Sequence, residues 1–164
     1  MDNQSFTTSI VVDQSPEVVF KAVTNVRGWW SEEIEGGTEK LNDEFDYHYK
    51  DVHSCRIKLT EVVPGKKVVW HVLENYFNFT EDKSEWTDTY VIFDISEKDN
   101  KTELRFTHQG LVPEYECFDV CKDSWTNYIR NSLYKLVTTG KGEPNKKEAN
   151  KFQREIDARM NGGN

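Results

Sequence analysis

The stretch LVPEYECFDVCKDSWTNYIRNSLYKLVTTG, running from Leu111 to Gly140, decides how this chain folds. Counted from Pro113, the residues Phe118, Cys121, Trp125, Tyr128, Ile129, Leu133 and Leu136 recur at steps of three, four and seven. That spacing puts them on one helical stripe, which must be buried against something. Pro113 suits a first helical turn, Glu114 and Glu116 suit the positive end of the helix dipole, and Gly140 stands just past the last periodic residue as a stop. A long amphipathic helix is therefore expected over residues 113–139, the central pillar of the fold.

Upstream of this helix the period changes to two. Phe6 to Val12 alternates and then turns β-branched, the pattern of a strand with one buried end. Phe45, Tyr47 and Tyr49 alternate with Glu44, Asp46, His48 and Lys50, and Cys55, Ile57 and Leu59 alternate with Arg56, Lys58 and Thr60. Pro64-Gly65 turns the chain into Val68 to Leu73, Glu74 to Lys83 reads as a loop, and Trp86 to Ile95 is the next strand. After the turn at Asp99-Asn100, Thr102, Leu104, Phe106 and His108 share one face. Between the first strand and this meander, Ser15 caps and Pro16 opens a short helix with Val18, Val19, Ala22, Val23 and Val26 inward and Gly28 as its stop. Trp29 and Trp30 then lead into the acidic loop Ser31 to Thr38. Two large aromatics on irregular backbone commonly line or close a space.

With strands clustered and helices at both ends of the pattern, the fold class expected is α+β. A curved antiparallel sheet of about six strands wraps around the long C-terminal helix, with the short helical segment after the first strand. A concave sheet gripping a helix leaves room for a cavity. One domain is expected over residues 1–140. The extension 141–164 carries Ala149, Phe152, Ile156 and Met160 on a narrow stripe, the pattern of a short amphipathic helix, or else it is a polar tail.

Composition narrows the function. The net charge of −8 argues against nucleic acid and anionic membrane surfaces, both of which need clustered Lys and Arg. No run of about 18 apolar residues and no secretory pattern occurs, so a soluble, cytoplasmic protein is expected. The three cysteines Cys55, Cys117 and Cys121 are read as thiols acting as small apolar fillers. His48 and His53 lie on or near charged strand faces and His71 sits among apolar residues; they form no cluster with metal-ligand spacing, and neither a metal nor a cofactor is expected. No nucleophile elbow, P-loop or dinucleotide fingerprint is present.

Several pieces together resemble a known superfamily. They are Ser15-Pro16-Glu17-Val18-Val19-Phe20, Gly28-Trp29-Trp30, Val62 to Trp70 around Pro64-Gly65, Thr102 to Gly110 ending in His108-Gln109-Gly110, and Ser124-Trp125 leading to Thr139-Gly140. In this order and spacing they resemble the helix-grip (SRPBCC) superfamily of START domains, polyketide cyclases and birch-pollen-allergen-like proteins, and most the branch named for activators of the heat shock protein 90 ATPase. The resemblance implies the helix-grip fold. For the cochaperone branch it also implies a chaperone partner and a place in the stress response.

Trp29, Trp30, Phe45, Tyr47, Tyr49, Trp70, Phe106, His108, Phe118 and Trp125 are all placed to approach the space between sheet and pillar, and are the candidate ligand-binding residues. Tyr hydroxyls and His108 would supply its few polar tips. A catalytic role for His108 is weighed against a hydrogen-bonded structural one, which fits the end of this strand better. The carboxylates Glu32, Glu33, Glu35, Glu114 and Glu116 read as a solvated rim. The expected function is thus binding of a small hydrophobic molecule, as carrier or sensor. The alternative is a cochaperone-like interaction module, and a cyclase- or hydrolase-like enzyme ranks below both. A monomer or weak homodimer is expected.

Overall fold

The computed structural model describes residues 5–49, 53–78, 80–81, 86–113 and 115–145. In chain order it contains β1 (Phe6–Val12), α1 (Pro16–Thr24), α2 (Val26–Trp29), β2 (Glu35–Gly36), β3 (Glu44–Tyr49), β4 (His53–Val63), β5 (Lys67–Phe77), β6 (Tyr90–Lys98), β7 (Lys101–Gln109) and α3 (Phe118–Asn127). A π-helical segment, Tyr128–Leu133, and α4 (Tyr134–Thr139) complete the C-terminal helix. The strands form one antiparallel sheet in the order β1-β7-β6-β5-β4-β3-β2. This is the expected α+β helix grip, with a seventh strand added.

Alternation drives the sheet. Cys55, Ile57 and Leu59 of β4, Val91, Phe93 and Ile95 of β6, and Leu104, Phe106 and His108 of β7 all point to the helix side and are buried. Curvature has a local cause: the β4–β5 pairing shifts register between Arg56 and Ile57 and again between Leu59 and Glu61. Such bulges increase twist and bend a long hairpin.

Several boundaries differ from the sequence reading, each for an identifiable reason. The C-terminal helix starts at Phe118, after Pro113, because Leu111 is still tied to the sheet: Phe6 N donates to its carbonyl at 3.0 Å, and its own N donates to His108 O at 3.1 Å. Strand β5 runs on through Glu74 to Phe77, since the long partner β4 satisfies its backbone as far back as His53. Strand β6 begins at Tyr90, after Trp86 has already turned. Val18 is solvent-facing, leaving Val19, Ala22 and Val23 as the buried residues of α1's stripe. Part of the acidic loop pairs with β3 as β2, where Gly36 has φ +114° and an added Cβ would sit 2.3 Å from Glu44 O. Only glycine fits there.

The buried residues Cys121, Trp125, Ile129, Leu133 and Val137 stand four apart throughout the C-terminal helix. In a straight α-helix a step of four overshoots a full turn by about 40°, so the series would rotate off the sheet within a few turns. The π segment widens one turn and takes up this drift, keeping all five inward. Gly140, at φ +86°, closes the helix as a left-handed cap.

Among the described residues no helix is long and apolar enough to cross a membrane. Of the extension, residues 141–145 are described and pack on the domain, whereas Ala149, Phe152, Ile156 and Met160 lie outside the described residues.

Candidate functional site

Between the concave sheet and α3 the side chains leave a cavity of about 180 Å³ that opens to the surface. Trp30 follows α2, Tyr47 and Tyr49 come from β3, His53 from the start of β4 and Phe77 from the end of β5. Trp86 comes from the turn before β6, and Val120, Cys121, Ser124 and Trp125 from α3. Tyr128 opens the π segment, and Asn145 belongs to the extension. Among the described residues, no Asp, Glu, Lys or Arg lines this cavity.

The ten candidate residues divide by depth. Trp30, Tyr47, Tyr49 and Trp125 line the cavity, whereas Trp29, Phe45, Trp70, Phe106 and His108 form a buried row behind that wall. Phe118 packs half-buried against the core at the start of α3, away from the cavity wall. The wall is built by aromatic contact: Trp30 stacks on Tyr47 at 4.0 Å between centroids, and Trp86 stacks on Trp125 at 5.5 Å. Behind them Trp70 stacks on both Trp29 and Trp30, at 6.2 and 5.6 Å. A wall backed by a second aromatic layer has little freedom to collapse into the space in front of it.

His108 is fully buried and its hydrogen bonds assign its tautomer. Trp125 Nε1 donates to Nδ1 at 3.1 Å, so the proton resides on Nε2, which donates to Thr89 Oγ1 at 2.8 Å. Thr89 in turn donates to Trp86 O. Burial, with a smaller contribution from nearby His53, pushes the imidazole down to about 3. His108 is thus a neutral, fully satisfied linchpin between β7 and α3, lying beneath the cavity and not at its mouth.

His53 corrects the reading of the sequence, which placed it near a charged strand face. It is buried among Phe77, Trp86 and Tyr47, with ring centroids at 4.3, 4.5 and 5.1 Å, and its Nε2 meets Asn75 Oδ1 at 2.7 Å. Burial pushes it down to about 4, against a smaller upward effect of the Asn75 bond. His71, expected among apolar residues, sits on the outer face against Asp88 and Tyr90. Of the rim carboxylates, Glu32, Glu33 and Glu35 do not line the cavity. Among the described residues no group of three or more His, Cys, Asp or Glu could hold a metal ion.

Some lining residues were missed although a signal existed. Cys121 and Tyr128 lie one turn either side of Trp125 on the same stripe, and His53 shares the parity of Cys55, Ile57 and Leu59. Phe77 could not be found this way, because Arg56 pairs with Glu74 and Ile57 with Val72, so the bulge at Leu73 reverses the parity of everything after it. Asn145 has no periodic signal at all.

Residues 13–138 match the family described as Activator of Hsp90 ATPase homolog 1-like protein. The chain belongs to this family. No curated protein matches it. Among solved structures, the Aha1 dimer from Colwellia psychrerythraea is similar at TM-score 0.68 and 24% identity, covering 84% of this chain and 98% of that one. DynU16, from the dynemicin biosynthetic locus, gives 0.62 and 15% over 85% of this chain and 49% of its own. CalU16 from Micromonospora echinospora gives 0.59 and 13%, over 82% and 76%. These likenesses establish the shared fold.

In this Activator of Hsp90 ATPase homolog 1-like chain, the residues just past the matched span form a clasp. Ser132 Oγ donates to Trp29 O at 2.7 Å and accepts from Glu143 N at 2.8 Å, and Lys135 pairs with Glu143 at 2.7 Å. Asn145 N then donates to Trp30 O at 3.0 Å, and Asn145 O accepts from Glu32 N at 2.9 Å. Ser132 is fully buried, so Ser132→Ala should leave one backbone donor and one acceptor without their partner and destabilise by about 1–3 kcal/mol in a urea titration. The exposed Lys135–Glu143 pair should contribute far less.

Proposed function

We propose that this protein binds a small, neutral, ring-bearing hydrophobic molecule in the cavity between sheet and α3, as a carrier or sensor. The observation that carries this reading is the cavity itself: about 180 Å³, walled mostly by aromatic rings and bordered, among the described residues, by no Asp, Glu, Lys or Arg. A charged ligand would be desolvated there without a counter-charge. An apolar cavity of about 150 Å³ accommodates benzene, whereas drug-sized sites run to roughly 300–1,000 Å³. The volume therefore points to a compound of about one substituted ring. Titration with toluene followed by NMR should shift the indole signals of Trp30, Trp86 and Trp125 and leave the amides of the edge strand β1 in place. Cys121→Phe, which fills the space, should abolish the effect. Unchanged indole signals at saturating toluene would refute the reading.

A second reading follows from the family description and from the dimer named for the Colwellia structure: a cochaperone-like module acting on a chaperone ATPase, as a monomer or a weak homodimer. It predicts stimulation of chaperone ATP hydrolysis by the added protein, unaffected by Cys121→Phe. Ligand binding predicts the reverse sensitivity to that substitution.

A further inference from the structure

We propose that Asn145 and Tyr128 form a polar end to this cavity, selecting ring compounds that carry a hydroxyl or a primary amide. The inference rests on the binding reading above and specifies its ligand. Asn145 comes from beyond the family-matched span, and two backbone hydrogen bonds, to Trp30 O and from Glu32 N, fix its place at the cavity wall. Its amide nitrogen donates to Tyr128 Oη at 2.7 Å and to Tyr47 Oη at 3.4 Å. Both amide protons are thus used, while Oδ1 has no donor among the described residues.

The phenols complete the count. Each phenol oxygen already accepts from Asn145. Neither phenol O–H has an acceptor at hydrogen-bond geometry among the described residues, which leaves the Tyr128 hydroxyl as a donor beside the amide. An acceptor, Asn145 Oδ1, and a phenolic donor therefore stand side by side on a wall that is mostly aromatic. A hydroxyl or a primary amide both donates and accepts, so it matches this pair. A methyl group in the same position would strip water from both atoms and return nothing. A carboxylate has no proton for Oδ1 and would meet no Lys or Arg among the described residues.

Phenol and toluene test this directly, since they have the same shape and differ in one polar group. The quantity to read is the phenol-to-toluene affinity ratio by NMR titration, which cancels effects common to both rings. In Asn145→Leu the ratio should fall about tenfold relative to the unsubstituted protein, the equivalent of one matched hydrogen bond. Tyr128→Phe removes a single hydroxyl, leaves the backbone clasp intact and should lower the ratio similarly, which guards against an unfolded Asn145 variant. If both compounds bind and neither substitution changes the ratio, the polar end is not a selector and this inference is overturned while the binding reading survives. If neither compound binds the unsubstituted protein, the binding reading falls and takes this inference with it.

Discussion

Trp125→Ala should destabilise the protein by about 4–6 kcal/mol, which is comparable with the entire stability of many domains of this size. The side chain is 1% exposed and is stacked on Trp86, with Trp30 and Phe106 at 5.1 and 4.6 Å. Truncation opens a cavity beside the existing one and also removes the donor to His108 Nδ1. The two effects can be separated, because Trp125→Phe keeps much of the ring but not the N–H and should lose only about 1–3 kcal/mol from the unpaired acceptor plus a modest packing defect. The melting temperature of the alanine variant should drop on the order of 10–20 °C. A loss under about 1 kcal/mol in urea titration would show that Trp125 does not join helix to sheet.

Stability should also collapse in mild acid. His53 and His108 are held neutral by burial, with folded values of about 4 and about 3, against about 6.5 in the unfolded chain. Below pH 6.5 the unfolded state takes up protons that the folded state refuses, so stability present at neutral pH is lost as pH falls through 6.5 and continues to fall until the folded values are reached. Each histidine contributes a slope of up to about 1.4 kcal/mol per pH unit, so the pair approaches roughly 3, and about 5 kcal/mol should be gone between pH 6.5 and 4.5. Urea titrations across this range measure the slope. His53→Phe should roughly halve it whatever that substitution does to stability at pH 7, and an unchanged slope would place the acid sensitivity elsewhere.

The architecture was readable because two periods dominate the sequence and do not overlap. The β3, β4 and β7 segments alternate cleanly, the stretch from Phe118 onward repeats at helical spacing, and a strand cluster flanked by helices leaves few ways to bury both faces. What escaped reading was set by events that carry no period. The bulge at Leu73 reverses which side chains face inward, so Phe77 reaches the cavity from what reads as loop. Leu111 stays tied to the sheet edge by backbone hydrogen bonds, with its side chain in the core, which delays the helix past Pro113. Aromatic residues were expected around the space, and whether a given ring belongs to the wall or to the layer behind it depends on depth. Trp29 and Trp30 are adjacent in sequence, stack at 6.3 Å and end on different layers. Asn145 is positioned by main-chain bonds to Trp30 and Glu32 and by its amide's bonds to Tyr128 and Tyr47, and nothing in its neighbours' chemistry announces that.

The widened turn at Tyr128–Leu133 gives the C-terminal helix two separate duties. Ahead of it, Cys121, Ser124 and Trp125 face the cavity; within it, Ser132 anchors the clasp, and behind it Leu136 rests against Gly28, the α2 glycine whose missing side chain lets that helix approach. Tyr128 stands at the joint and belongs to the cavity side. A helix of uniform pitch would rotate both halves together, so a change in one would be felt as a misalignment in the other. With the extra residue held in the middle, this helix behaves as two rods in a splint. The front rod lines the cavity, and the rear rod closes against α2.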